Sequence, residues 1–308
     1  MEMVRKLIQR CLLVSGFCLG SVMTHADFKI ESREDGSVIQ YYVEKPNTSS
    51  FPLLLVLQGS QCDSVASHLD KWPILESYGI GLLLVEKYGL EAPTVGCPEA
   101  YLKNNTIDQR LNDYLRVLSV VRTKLEGWDG RLFLLGGSEG AHVAARLASL
   151  VFPQKIVLIG GALGMPMSET LPLLAEKDMR KNGLSDGLIR AELAKFPVKY
   201  DEILANPTWR LSWGGENNTY KYWNSILFHH AWEDLFAYGG PILDIHGTED
   251  RNAPIEGSRL LQKRFEVDGR NHLERWELEG MDHFMNDREG NNHMIKVVKR
   301  AIDWLVAE

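Results

Sequence analysis

Apolar residues in this chain come in short unbroken runs, separated by stretches in which they recur every three or four positions. The runs PLLLVLQ (Pro52–Gln58) and IGLLLVE (Ile80–Glu86) lack polar alternation, which predicts strands buried on both faces of a sheet. RLFLLG (Arg131–Gly136), KIVLIG (Lys155–Gly160) and PILDIHG (Pro241–Gly247) continue the series. HLERWELEG (His272–Gly280) alternates more and reads as the strand nearest an edge. Between them, Thr106–Leu125 and His293–Val306 carry the spacing of amphipathic helices. Buried runs alternating with such helices predict an α/β fold, a mostly parallel sheet with helices on both faces. Ahead of the series, FKIES (Phe28–Ser32) and SVIQYYVEK (Ser37–Lys45) flank a turn-like REDGS and predict an antiparallel hairpin.

One stretch breaks the rhythm. From Gly160 to Pro241 the chain shows helical patterns without a convincing buried strand, and it holds Trp209, Trp213, Trp223 and Trp232. It reads as a helical insertion between two core strands, a cap over the sheet. Two roles stay open for its rings: an apolar cleft, or the small core that the insertion needs to fold.

The N-terminus changes the picture of where the protein works. Arg5, Lys6 and Arg10 precede CLLVSGFCLGSVM, and the small residues Thr24 and Ala26 follow it, the order of a secretory signal peptide. Thirteen mostly apolar residues fall short of the roughly 20 that span a bilayer. The expected organisation is a signal peptide over 1–26, a core formed by 27–160 and 241–308, and a helical cap over 161–240. The mature protein is then secreted or periplasmic, with no stable membrane insertion. Removing residues 1–26 takes away Arg5, Lys6, Arg10 and Glu2, moving the formal net charge from −7 to −9. That charge, with no basic run in the rest of the chain, argues against nucleic acid. Cys62 and Cys97 are the two cysteines left, and an oxidising compartment allows them to bridge; the other reading is two buried thiols.

Candidate chemistry begins with two matches to G-x-S-x-G: GGSEG (Gly136–Gly140) and GLSDG (Gly183–Gly187). With 27 glycines in 308 residues the pattern alone decides little, so context must separate them. Ser138 follows a buried strand and opens a helix, AHVAARLASLVF, as a serine on a sharp strand-to-helix turn does. Ser185 follows a charged helical end and reads as a helix N-cap within the insertion. A serine needs a base, and the base a carboxylate to orient it. HGTEDRNAP places Asp250 just past the run Pro241–Gly247, and GMDHF places His283 past the next run. Three candidates thus fall beyond the C-terminal ends of three strands, the edge where open α/β sheets build sites. No H-E-x-x-H, C-x-x-C or G-x-G-x-x-G is present, so neither a metal nor another cofactor is expected.

On the segments LLGGSEGAHVAARLA, PILDIHGTEDRNAP and GMDHF, the chain resembles the α/β-hydrolase-fold serine hydrolases from about Phe28 to its C-terminus. The resemblance implies Ser138 as nucleophile, Asp250 as acid and His283 as base. Glu249 is the competing acid, and the family's G-x-x-D spacing from Gly247 favours Asp250. It also implies an oxyanion hole of two backbone N–H groups, one from Glu139 and one from the QGSQ loop. That second donor is Ser60, with Gln61 as competitor, because Gln58 stands where many relatives have His. Asp282 reads as a solvated loop charge, His246 as a hydrogen-bonded structural residue and His142 as a packing residue, while His229 and His230 sit in the insertion without a metal-ligand spacing. The resemblance implies cleavage of a small-molecule ester through an acyl-enzyme. A peptidase of the prolyl aminopeptidase or oligopeptidase type acting on short peptides, and a non-catalytic binding protein on the same fold, are the alternatives.

Overall fold

The computed structural model of the chain describes residues 27–90 and 96–307, so the signal peptide expected over 1–26 lies outside the described residues. The apolar runs form β3 (Phe51–Leu57), β4 (Gly81–Val85), β5 (Trp128–Gly137), β6 (Lys155–Ile159), β7 (Ile242–Gly247) and β8 (Leu273–Leu278). Before them β1 (Asp27–Ser32) and β2 (Val38–Glu44) make the hairpin. All eight strands join one sheet in the order β1-β2-β4-β3-β5-β6-β7-β8. β2 runs antiparallel to β4, and every pairing from β4 through β8 is parallel. β8 lies at an edge, where Glu274 is exposed and its other five residues are half-buried. β5 starts at Trp128, three residues before the apolar run, because Trp128 pairs with Phe51 before the register shifts.

Successive residues of each central strand serve opposite faces, as the two-residue period of a strand requires. Leu53, Leu55, Leu134, Ile156 and Leu158 belong to one core layer; Leu54, Phe133, Leu135, Val157 and Leu243 belong to the other. The second layer is covered by α1 (Ile74–Ser77) and by α11 (Met294–Val306). Covering the first are α3 (Ile107–Lys124), which follows the short α2 (Glu99–Asn104), then α4 (Glu139–Val151) and α10 (Ile255–Val267). Among the described residues no helix is long and apolar enough to cross a membrane.

Between β6 and β7 the chain forms five helices: α5 (Met167–Lys181), α6 (Asp186–Leu193), α7 (Lys195–Ala205), α8 (Tyr220–Ile226) and α9 (Ala231–Tyr238). Their rings pack on one another. The Trp213 centroid lies 5.7 Å from both Phe196 and Trp223 and 6.0 Å from Tyr200. Trp223 is 3% exposed, and its indole N–H donates to the Trp213 carbonyl at 2.8 Å. Of the two roles open for the rings, this cluster takes the structural one. Trp232 instead stacks beneath the Arg264 guanidinium, beside a surface groove between α9 and α10. Trp223→Ala is therefore expected to lower unfolding free energy by about 3–5 kcal/mol, through lost burial and the cavity left behind. Chemical denaturation measures it, and a loss below about 1 kcal/mol would contradict this packing role.

Candidate active site

Ser138 is the single residue between β5 and α4, and its backbone is strained, with φ 54° and ψ −122°. That conformation, the one glycine takes at the first central position of a type II′ turn, costs a side-chain-bearing residue about 1–3 kcal/mol. The surroundings enforce it. The Ser138 N–H donates to the Ile159 carbonyl at 2.8 Å, and its own carbonyl accepts from the Ala141 N–H at 2.9 Å. Glycines let the turn close: a methyl on Gly136 would lie 2.3 Å from the Gly140 carbonyl oxygen, and one on Gly140 2.0 Å from that of Leu57. Ser185, the other match, caps α6 by accepting the Leu188 N–H.

Asp250 follows β7 and is held by its own loop. One carboxylate oxygen accepts the N–H groups of Asn252 and Ala253, each at 2.8 Å. The other faces His283 Nδ1 at 2.8 Å, with side-chain exposures of 0% for Asp250 and 11% for His283. A carboxylate only accepts, so Nδ1 carries the proton and Nε2 is left as the acceptor. His246 Nε2 donates to the Ala253 carbonyl at 2.8 Å and lies 3.4 Å from the same Asp250 oxygen, bracing the loop as a structural histidine. Glu249, the competing acid, turns outward to Arg288. Asp282 differs from its expected role as a solvated charge. It accepts the backbone N–H groups of Phe284 and Asn286, each at 2.8 Å, and so shapes the turn that carries His283.

Gly160 ties these parts together. A methyl there would lie 3.3 Å from the His283 ring and 3.4 Å from Asp250 Oδ2, while Ile159 just before it accepts the Ser138 N–H. On the other flank, a methyl on Gly59 would lie 3.4 Å from Ser138 Cβ and 3.9 Å from Oγ. The ends of β3, β5, β6, β7 and β8 thus gather the serine, the histidine–carboxylate pair and the loop holding Ser60 and Gln61.

Neither known protein families nor curated proteins yield a match to the sequence. Solved structures do. Est1E from Butyrivibrio proteoclasticus superposes with a TM-score of 0.58 at 18% identity, over 91% of this chain and 96% of that one. An esterase from Pyrococcus furiosus gives 0.59 at 14% identity, over 94% and 96%. The acylaminoacyl peptidase of Pyrococcus horikoshii gives 0.60 at 14% identity; 92% of this chain is covered, but only 41% of that longer one. The chain has the α/β-hydrolase fold.

Within this α/β-hydrolase fold, sequence reasoning missed a layer of buried charge under the site. Glu86, Lys87, Arg110 and Glu139 are all buried. Arg110 pairs with Glu139, whose carboxyl is pushed up by burial but held below its ordinary value overall by Arg110, Lys87 and the Tyr222 hydroxyl. Burial raises the Glu86 carboxyl, which accepts from Ser64 and the Val65 N–H. The one signal in the sequence was the pair Glu86-Lys87 directly after an apolar strand, which reads the same whether the charges turn to water or inward. His142 packs in α4, its pKa lowered to about 4 by burial and by His229, which itself bonds Asp234 at 2.7 Å. His230 opens α9 as its N-cap, and no group of three His, Cys, Asp or Glu residues suited to a metal occurs among the described residues. Cys62 and Cys97 form a disulfide that fastens the segment beyond the Ser60 loop to the start of α2.

Proposed function

We propose that the protein is an exported serine hydrolase that cleaves carboxylic esters through an acyl-enzyme, with Ser138, His283 and Asp250 as its triad. The observation that carries the reading is the Asp250–His283 hydrogen bond formed against Gly160, beside a strained Ser138. His283 Nε2 takes the Ser138 proton as Oγ attacks the ester carbonyl, and Asp250 stabilises the resulting imidazolium. The N–H groups of Glu139 and of the loop after β3 receive the oxyanion, Glu139 lying at the positive N-terminus of α4. Collapse expels the alcohol, which takes its proton from His283, and a water activated by the same base releases the acid. The cap over 161–240 bounds the substrate space. Export rests on the N-terminal signal pattern, and the disulfide suits an oxidising compartment.

A peptidase reading draws on one observation, the likeness to the acylaminoacyl peptidase, of which this chain spans less than half. A panel of p-nitrophenyl esters against amino-acyl and prolyl amides tests the choice. Short- to medium-chain esters are expected to exceed the amides in kcat/KM by at least about tenfold, a difference of roughly 1.4 kcal/mol in the barrier. The reverse order would replace the esterase reading with the peptidase one, and inertness toward both would leave a binding protein.

A further inference from the structure

Each of the four carbonyl oxygens in the loop Gln58–Gly59–Ser60–Gln61 is held by a side chain from elsewhere in the chain. Arg110 Nη2 donates to Gln58 at 2.7 Å. The Lys87 ammonium donates to both Gly59 and Gln61, the latter at 2.6 Å. Asn217 Nδ2 donates to Ser60 at 2.8 Å, joined by the Tyr101 hydroxyl at 3.3 Å. Lys87 is an expensive way to satisfy two carbonyls. It is buried, and its pKa is pushed down to about 7 by burial and by Arg110, against the pull of Glu139, Asp63 and Glu86.

A trans peptide points its C=O and N–H in opposite directions. The Gly59 oxygen faces Lys87, so the Ser60 N–H of the same peptide faces away from Lys87. By the same geometry, Asn217 and Tyr101 aim the Gln61 N–H away from themselves. Gly59 also faces Ser138, close enough that a methyl on it would touch the serine side chain. We infer that Lys87 is a positioning residue: by holding the Gly59 carbonyl inward it presents the Ser60 N–H, rather than that of Gln61, to the oxyanion. The inference rests on the hydrolase reading. Arg110 completes the arrangement, because its two terminal nitrogens bond the Gln58 carbonyl and the Glu139 carboxylate. One buried guanidinium thus joins the loop to the residue after the nucleophile, so both donors are set before substrate arrives. Such preorganisation acts on the transition state rather than on substrate binding.

The test compares Lys87→Met with Asn217→Ala in the full chain. Its readouts are kcat and KM on a p-nitrophenyl ester and the rate of fluorophosphonate labelling at Ser138. Lys87→Met is expected to lose about 100-fold in kcat and in labelling rate, with KM within about threefold, as when one oxyanion donor is lost. Asn217→Ala, which removes the shorter of the two bonds to the Ser60 carbonyl and so loosens the Gln61 N–H, is expected to lose at least about tenfold less. Should Lys87→Met fail to fold, Lys87→Gln keeps a shorter, neutral N–H-donating amide, and a loss of about tenfold or more in the same two rates is expected. A Lys87 variant that folds and keeps wild-type kcat and labelling overturns the inference while leaving the hydrolase reading intact. An Asn217→Ala loss equal to that of Lys87→Met overturns the choice of Ser60. Wild-type protein that is neither labelled nor active overturns the hydrolase reading itself, and the inference with it.

Discussion

Ser138→Ala is expected to abolish fluorophosphonate labelling and to lower ester turnover by about 10³–10⁶-fold, because only oxyanion stabilisation and binding would remain. The expectation comes from backbone conformation as much as from residue type. A serine held at φ 54° and ψ −122° persists only where its surroundings impose it, and such strain concentrates at functional positions. Ser138→Gly separates strain from chemistry: it should be equally inactive yet more stable than wild type by about 1 kcal/mol, since glycine takes this conformation freely. Labelling located by peptide mass analysis and denaturation curves of both variants provide the measurements. A probe adduct on Ser185, or an alanine variant with full turnover, would sink the assignment.

Asp250→Asn is expected to cost about 10⁴-fold in kcat with the fold retained. The asparagine oxygen can still accept the N–H groups of Asn252 and Ala253, so the loop keeps its shape. Its amide nitrogen would then face His283 Nδ1 where a carboxylate oxygen now stands. A donor there forces Nδ1 to accept and moves the imidazole proton to Nε2, the atom that must take the Ser138 proton. The base would be present but in the wrong tautomer. Glu249→Gln serves as the contrast: Glu249 bonds Arg288 on the surface, and turnover within about twofold of wild type is expected. Steady-state kinetics of the two variants decide between the carboxylates. An unimpaired Asp250→Asn would mean that the hydrogen bond to His283 does not orient a base.

Much of the arrangement was legible along the chain because the candidate residues sit in loops at strand ends. Ser138, Asp250 and His283 stood out as the polar residues that follow three apolar runs, and the lack of polar alternation in the central runs already implied a sheet covered on both faces. Asp282 was misjudged for want of any local signal. A carboxylate one residue before a histidine reads the same whether it meets water or the N–H groups of Phe284 and Asn286. The tryptophans were ambiguous for a similar reason. An aromatic-rich helix can line a cleft or face another aromatic helix, and only the packing of Trp213 against Trp223 chose between them.

By itself, the sequence determined the alternation of strand and helix, the parallel core and the turn on which Ser138 sits. These follow from local period, steric freedom and position along a strand. Tertiary structure alone decided the partners of the buried charges. Lys87, Arg110 and Glu139 lie on different elements, and a charged side chain defaults to water unless distant groups satisfy it. Their burial became tolerable only when folding brought the carbonyls of Gln58, Gly59 and Gln61 and the carboxylate of Glu139 within hydrogen-bonding reach. Residue spacing could name the loop beside the serine. Which way its peptides face depends on where those cations lie in space.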